Sequence, residues 1–275
     1  MKRILLIILL TFVCHAQNPQ YPWLTKDFSV SEKINDIPCL SGFNRVKPDS
    51  NSFAEWLQGL PLKNKSEKVR LFDERIKANQ SAHYRIIDID RGKKDLQQFT
   101  DAVIRLWSEY LYHLKEFEKI HFNFTNGDIA KFTDWIMGLR PQVKNNDVQW
   151  KNTGKPGRDY SNFRKYLETV FMYAGSYSLK KELVRVSDLN KIKIGDVFVQ
   201  SGFPGHAVIV IDKCINSITN KIAILIAQSY MPAQDVHILI NPNNENTNPW
   251  YIINKEEKLY TPEWTFEWSD LYRFK

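Results

Sequence analysis

Residues 195–212 read GDVFVQSGFPGHAVIVID. Gly195-Asp196 is a turn signal, and VFVQ after it is a β-branched apolar run of the kind that forms a buried strand. The Gly/Pro-rich stretch 202–205 breaks that run, and AVIVID begins a second one. His206 stands between them, at the mouth of the second strand. A titratable ring at that point can face a cleft as a base, or can bond a loop carbonyl. Further on, IAILIAQ (222–228) and VHILI (236–240) are two more apolar runs. The polar segment 213–220 makes 207–212 and 222–228 an antiparallel hairpin.

Upstream of this block the periodicity is helical. From Asp95, a predicted N-cap, the residues Leu96, Phe99, Val103, Leu106, Trp107, Tyr110 and Leu114 recur at three- and four-residue steps on one face. A second helix carries Phe163, Tyr166, Leu167, Val170, Phe171 and Ala174, with Asp159 or Ser161 as its cap and Gly175 as its stop. FAEWLQGL (53–60) predicts a short amphipathic helix, and YRIIDI (84–89) a strand. Residues 142–158 are polar and predict a long loop, and residues 17–35 a loosely attached arm. Helices first and strands after argue an α+β fold, with an antiparallel sheet from 197–240 packed on the helices, over a parallel doubly wound one.

The chain has 275 residues, 43% hydrophobic and 25% charged, which excludes disorder along its length. Residues 1–16 have the order of a signal peptide: Lys2 and Arg3, an apolar run too short to span a bilayer, then small residues before a cut between Ala16 and Gln17. The remaining 17–275 reads as one α+β domain, exported to the periplasm or beyond. The alternative is a lipoprotein anchored at Cys14, where Val13 occupies a position that wants a small residue. No later segment is apolar enough for a transmembrane helix.

Basic residues exceed acidic ones, but they are scattered and belong to no nucleic-acid-binding motif, so no nucleic-acid partner is expected. After cleavage Cys39 and Cys214 remain, and either a disulfide or two free thiols fits the sequence. There is no Cys-x-x-Cys. His83, His113, His121, His206 and His237 are dispersed, so neither a metal site nor a cofactor is expected. The stretch AQSYMPAQD (227–235) reads equally as a cleft wall and as a loop satisfying its own backbone. Trp250 and Trp264 fit sugar stacking or, more commonly, the stapling of loops to the core.

The Gly-Asp-strand-turn-His order of 195–212 resembles NlpC-like cysteine peptidases of the bacterial cell envelope and, more distantly, papain-like folds. The resemblance implies a papain-like core over about 95–240, with His206 as base and Gln228 orienting it. It also implies a nucleophile at an upstream helix start. At the head of the second helix Tyr160 stands where a Cys would be, with Ser161 beside it as an atypical nucleophile or simply a cap. Six blocks stand in order along the chain: LQQFTDAVIRLWSEYLY, FRKYLETVFMYAGSYSL, GDVFVQSGFPGHAVIVID, AQSYMPAQDVHIL, NPWY and TPEWTF. Together they resemble the bacterial domain-of-unknown-function family 4846. That resemblance implies that many members carry Cys where this chain has Phe99, in a Gln-Gln-Cys whose preceding Gln suits an oxyanion hole. Gln97 and Gln98 would then be relics. Two functions follow as expectations. One is a non-catalytic envelope protein that binds a cell-wall fragment or peptide in a cleft lacking a thiol. The other is an active amide hydrolase or transferase using His206 and an atypical nucleophile such as Ser161.

Overall fold

The computed structural model describes residues 20–24, 32–202 and 205–275. The predicted signal peptide and its cleavage site lie outside the described residues, as do Phe203 and Pro204, which precede Gly205 and His206 in the chain. In chain order the elements are β1 (Asn44–Arg45), α1 (Phe53–Gln58), β2 (His83–Ile86), α2 (Phe99–His113), β3 (His121–Asn123), β4 (Ile129–Lys131), α3 (Phe132–Ile136), β5 (Leu139–Lys144) and β6 (Asp147–Asn152). There follow α4 (Tyr160–Tyr173), α5 (Ser176–Glu182), β7 (Val184–Arg185), β8 (Val197–Gln200), β9 (His206–Ile215), β10 (Ile222–Gln228) and β11 (His237–Leu239). β12 (Tyr251–Ile252), β13 (Leu259–Tyr260), β14 (Thr265–Phe266) and β15 (Leu271–Arg273) complete the set.

The result is a mixed α+β fold in which a nine-stranded sheet packs against helices. Its order is β2-β11-β10-β9-β8-β15-β7, with β1 on β9 and β12 on β10. Every pairing is antiparallel. The sheet extends beyond the predicted 197–240. β2, announced as a strand by residues 84–89, closes one edge, while β15 and the edge strand β7 extend the other, and their short runs carry no strand signal strong enough to announce them.

β9 explains why the central strands read as unbroken apolar runs. Ala207, Ile209 and Ile211 face the large core that includes α2, while Val208 and Val210 face a smaller core with Phe198, Ile226 and Leu239. Both faces are covered, so the alternation is apolar on each side. The predicted β9–β10 hairpin is present, with a bulge opposite Leu225/Ile226.

Several local expectations are corrected. α2 starts at Phe99, with Gln98 as N-cap. Asp95 instead accepts hydrogen bonds from the Gln98 side chain (2.9 Å) and the Ala233 backbone (2.7 Å), tying the helix start to the loop after β10. Residues 142–158 are not all loop, since β5 and β6 form a hairpin that turns at Asn145, whose φ is +55°. Asn tolerates that left-handed conformation, so Asn145-Asn146 was a turn signal. Gly175 is extended and opens α5 rather than capping α4. The arm is partly anchored: Tyr21 and Ile34 are fully buried in the core.

α2 is buried on more than its apolar face. Arg105 and Glu109 are fully buried, 2.6 Å apart. Arg105 also reaches Asp90 (2.8 Å), Gln97 (2.9 Å) and the Tyr160 hydroxyl (3.1 Å), and Tyr160 donates to Glu109 (2.8 Å). This network fastens α4 to the polar side of α2. Cys39 and Cys214 form a disulfide with Cα atoms 6.3 Å apart, closing a 175-residue separation and joining the early chain to the far end of β9. Among the described residues no helix is long and apolar enough to cross a membrane.

Candidate functional site

His206 is the first residue of β9 and is fully buried. Gln228, the last residue of the adjacent β10, lies with its Oε1 2.8 Å from His206 Nε2. The two predicted residues therefore meet because the hairpin brings the start of one strand to the end of the next. The Gln228 amide nitrogen donates to Glu263 Oε2 (2.8 Å), which also takes Lys77 Nζ (2.6 Å). A carboxylate can only accept, so Glu263 turns the amide NH2 towards itself and the amide oxygen towards the imidazole. That oxygen accepts from Nε2–H, which leaves Nδ1 with its lone pair. Nδ1 is buried and has no hydrogen-bond partner among the described residues.

Aromatic rings enclose the imidazole. Phe99 meets it edge-on at 4.7 Å, Trp264 lies at 5.0 Å, Tyr230 at 5.3 Å and Phe266 at 5.7 Å. Burial in this box pushes the His206 pKa down to about 4, against the Gln228 hydrogen bond and with help from the Lys77 charge. The ring is neutral at physiological pH. His237 on β11 pairs in register with Gln228, and burial together with Lys77 lowers its pKa to about 3. Its ring lies 6.2 Å from that of His83. Histidines that are remote in sequence thus gather on neighbouring strands. Among the described residues, no group of three or more His, Cys, Asp or Glu could hold a metal ion.

Phe99 is the first residue of α2, so the side chain that meets His206 comes from the N-terminal turn of that helix. A cavity of about 690 Å3 opens beside it, lined by Gln98, Phe99, Ser176, Tyr177, Gly205 and Met231 among others. Tyr177 and Met231 are exposed at its rim. Gly205 is required by close approach, because a Cβ there would lie 2.1 Å from the Ser176 Oγ.

Ser161 lies elsewhere. It is exposed in the first turn of α4, and the rings around His206 come from α2, the loop after β10 and the 264–266 segment. Asp159, not Ser161, caps α4, accepting from the Asn162 N–H at 3.0 Å. Tyr160 is committed to the Arg105–Glu109 network, and Gln97 to Arg105, while Gln98 lines the cavity. In the 227–235 loop both readings have a share. Ser229 and Asp235 are fully buried, with Asp235 held by Lys63 (3.0 Å) and Arg91 (2.9 Å), whereas Met231 faces the cavity. Trp250 is a staple, its indole donating to the Pro38 carbonyl (2.9 Å), and Trp264 is part of the box around His206. Sequence reading missed Glu263 and Lys77. Both lie far from Gln228 in the chain, and no local pattern ties either of them to it.

No curated protein and no solved structure matches the chain. One family model does, over residues 34–273, so most of the chain is covered by a single match. The chain belongs to the family described as a domain of unknown function (4846).

Proposed function

We propose that this protein is an exported envelope protein that binds a peptide or cell-wall fragment in the cavity beside Phe99, on a papain-like layout that lacks its nucleophile. The observation that carries the reading is the edge-on contact of Phe99 with His206 at 4.7 Å. A thiol catalyst of this type needs three groups in order: a nucleophile at a helix N-terminus, a His base, and an amide that fixes the imidazole tautomer. Here the amide is Gln228 and the base is His206, with a free lone pair on Nδ1. The helix position that would supply the thiol carries a phenyl ring, which can neither donate a proton nor attack a carbonyl. Without a nucleophile the remaining machinery adds little rate, whereas the cavity walls are intact for binding. The exposed Tyr177 and Met231 supply apolar contacts at the rim, and Gln98 and Ser176 supply polar ones. The geometry does not favour Ser161 as a replacement nucleophile. Export is supported by the order of residues 1–16 and by the Cys39–Cys214 disulfide, which persists in an oxidising compartment.

The test is calorimetric titration with peptidoglycan stem peptides, with chromatography of the same mixtures for cleavage. Saturable binding without cleavage, weakened about tenfold or more by Tyr177→Ala, is the expected result. Turnover by the wild type that His206→Ala abolishes would overturn the reading. So would an absence of binding.

A further inference from the structure

A second cavity, of about 460 Å3, lies on the helix-covered side towards the far end of β9. His206 is the first residue of that strand and Lys213 the eighth, about 23 Å further along at the usual rise. The cavity is thus separate from the one beside Phe99. Its apolar wall is aromatic: Trp107 stacks on Phe274 (4.6 Å, 9° between planes), and Phe53 meets Trp107 edge-on at 5.0 Å. Its volume suits a small molecule.

The polar groups around this wall are predominantly cationic. Lys47, Lys193, Lys213 and Arg273 line the cavity, against Asp49 and Asp196. Arg273 and the fully buried Asp196 satisfy each other through two contacts, at 2.6 and 2.8 Å. Lys47 and Lys193 are exposed and form no ion pair among the described residues. Lys213 is the telling group. It is only 9% exposed, and its ammonium donates one hydrogen bond, to the Ile192 carbonyl at 2.7 Å. No carboxylate pairs with it directly, since Asp196 is taken by Arg273. Burying an ammonium without a counter-charge is costly, and an anion arriving at its remaining donors would remove that cost.

We propose that this cavity binds an organic carboxylate with an apolar body, such as a medium-chain acyl carboxylate, with its chain against Trp107 and Phe53 and its carboxylate at Lys213. The charge balance rejects amines and the aromatic wall disfavours small hydrophilic anions.

The probe is octanoate, titrated calorimetrically into the full processed chain, with octanol, octylamine and acetate as comparisons. Saturable one-site binding of octanoate is expected, at least tenfold tighter than any of the three. Lys213→Met should weaken it tenfold or more, and Lys193→Glu, an exposed change that leaves folding alone, by several-fold. Circular dichroism checks that both variants are folded. Octanol binding as tightly as octanoate would overturn the proposal, because the carboxylate would then be irrelevant. So would octanoate affinity unchanged in the Lys193→Glu chain, or no saturable binding at all. The peptide titration at the other cavity is a separate measurement, so either proposal can fail alone.

Discussion

At the scale of single residues the site turns on Phe99 and His206. Replacing Phe99 by Cys would put a thiol at the N-terminus of α2, facing a neutral imidazole whose Nδ1 has its lone pair available. Cys39 and Cys214 are oxidised, so in a chain begun at Gln17, which omits Cys14, iodoacetamide would report the new thiol alone. The Phe99→Cys thiol should titrate below the ordinary value of about 8.5 and be alkylated faster at pH 7 than a free thiol. Adding His206→Ala should abolish that advantage. Equal rates with and without His206 would mean that the imidazole does not address this position. The acid response of the site follows from the same burial. An unfolded histidine protonates below 6.5, whereas His206 in the folded protein stays neutral until about 4. Between those values the unfolded chain holds the extra proton, so stability falls as the pH drops through the window. The loss amounts to ~3 kcal/mol from this residue. His237 acts in the same direction. Urea unfolding at several pH values from 7 to 4 should give a shallower acid loss for His206→Gln, by up to ~1.4 kcal/mol per pH unit. An unchanged slope would place the histidine's titration elsewhere. Gly205 shows a different dependence. A methyl group there would collide with Ser176, so Gly205→Ala should displace the start of α5 and destabilise the protein by ~1–3 kcal/mol, read from the denaturation midpoint.

At the scale of elements, the helices are joined by polar groups that a helical wheel would place on solvent faces. Arg105 and Glu109 stand four residues apart on α2, the spacing of an ordinary surface pair worth a few tenths of a kcal/mol. Both are fully buried because α4 and the Asp90 segment cover that side. Arg105→Met would strand the Glu109 charge and should cost ~3–5 kcal/mol in chemical denaturation. The double variant Arg105→Met/Glu109→Leu should cost clearly less than the sum of its parts. Additive losses would show the pair to be uncoupled. The caps were partly legible. Asp159 was one of two candidates for the head of α4, and its carboxylate does the capping. Asp95 lies three residues before the true N-cap, Gln98, because its best partner is a backbone N–H of Ala233, more than a hundred residues away. The Asn145 turn was legible in principle, since Asn is the ordinary residue for a positive φ, but the surrounding polarity masked a hairpin whose strands are largely exposed.

At the scale of the molecule, the long-range ties are the antiparallel sheet and the disulfide. By the chain-entropy account, closing a separation of 175 residues removes up to about 5 kcal/mol of denatured-state freedom. Cys39→Ser/Cys214→Ser should therefore lower stability by ~2–5 kcal/mol, and reduction of the wild type should do the same. A loss below ~0.5 kcal/mol would mean that the denatured chain is already compact around this crosslink.

The sequence by itself determined the fold class, the four central strands and two long helices, and the partnership of His206 with Gln228. The elements follow from local periodicity and the pairing from the peptidase resemblance, and an antiparallel hairpin, here with residues 216–221 between its strands, brings the start of one strand to the end of the next. Its resemblance to a domain-of-unknown-function family was also carried by contiguous blocks. Only the tertiary structure decided which helix start faces the imidazole. Tyr160 was a candidate from the peptidase resemblance and Phe99 from the family resemblance, and packing sends Phe99 to His206 and Tyr160 to a buried ion pair. It also decided that Glu263 orients Gln228, that β2 and β15 complete the sheet, and that Cys39 meets Cys214. Each of these joins segments separated by tens to hundreds of residues. The free energy that selects such pairings comes from burying both partners together, and no local pattern in the chain records it.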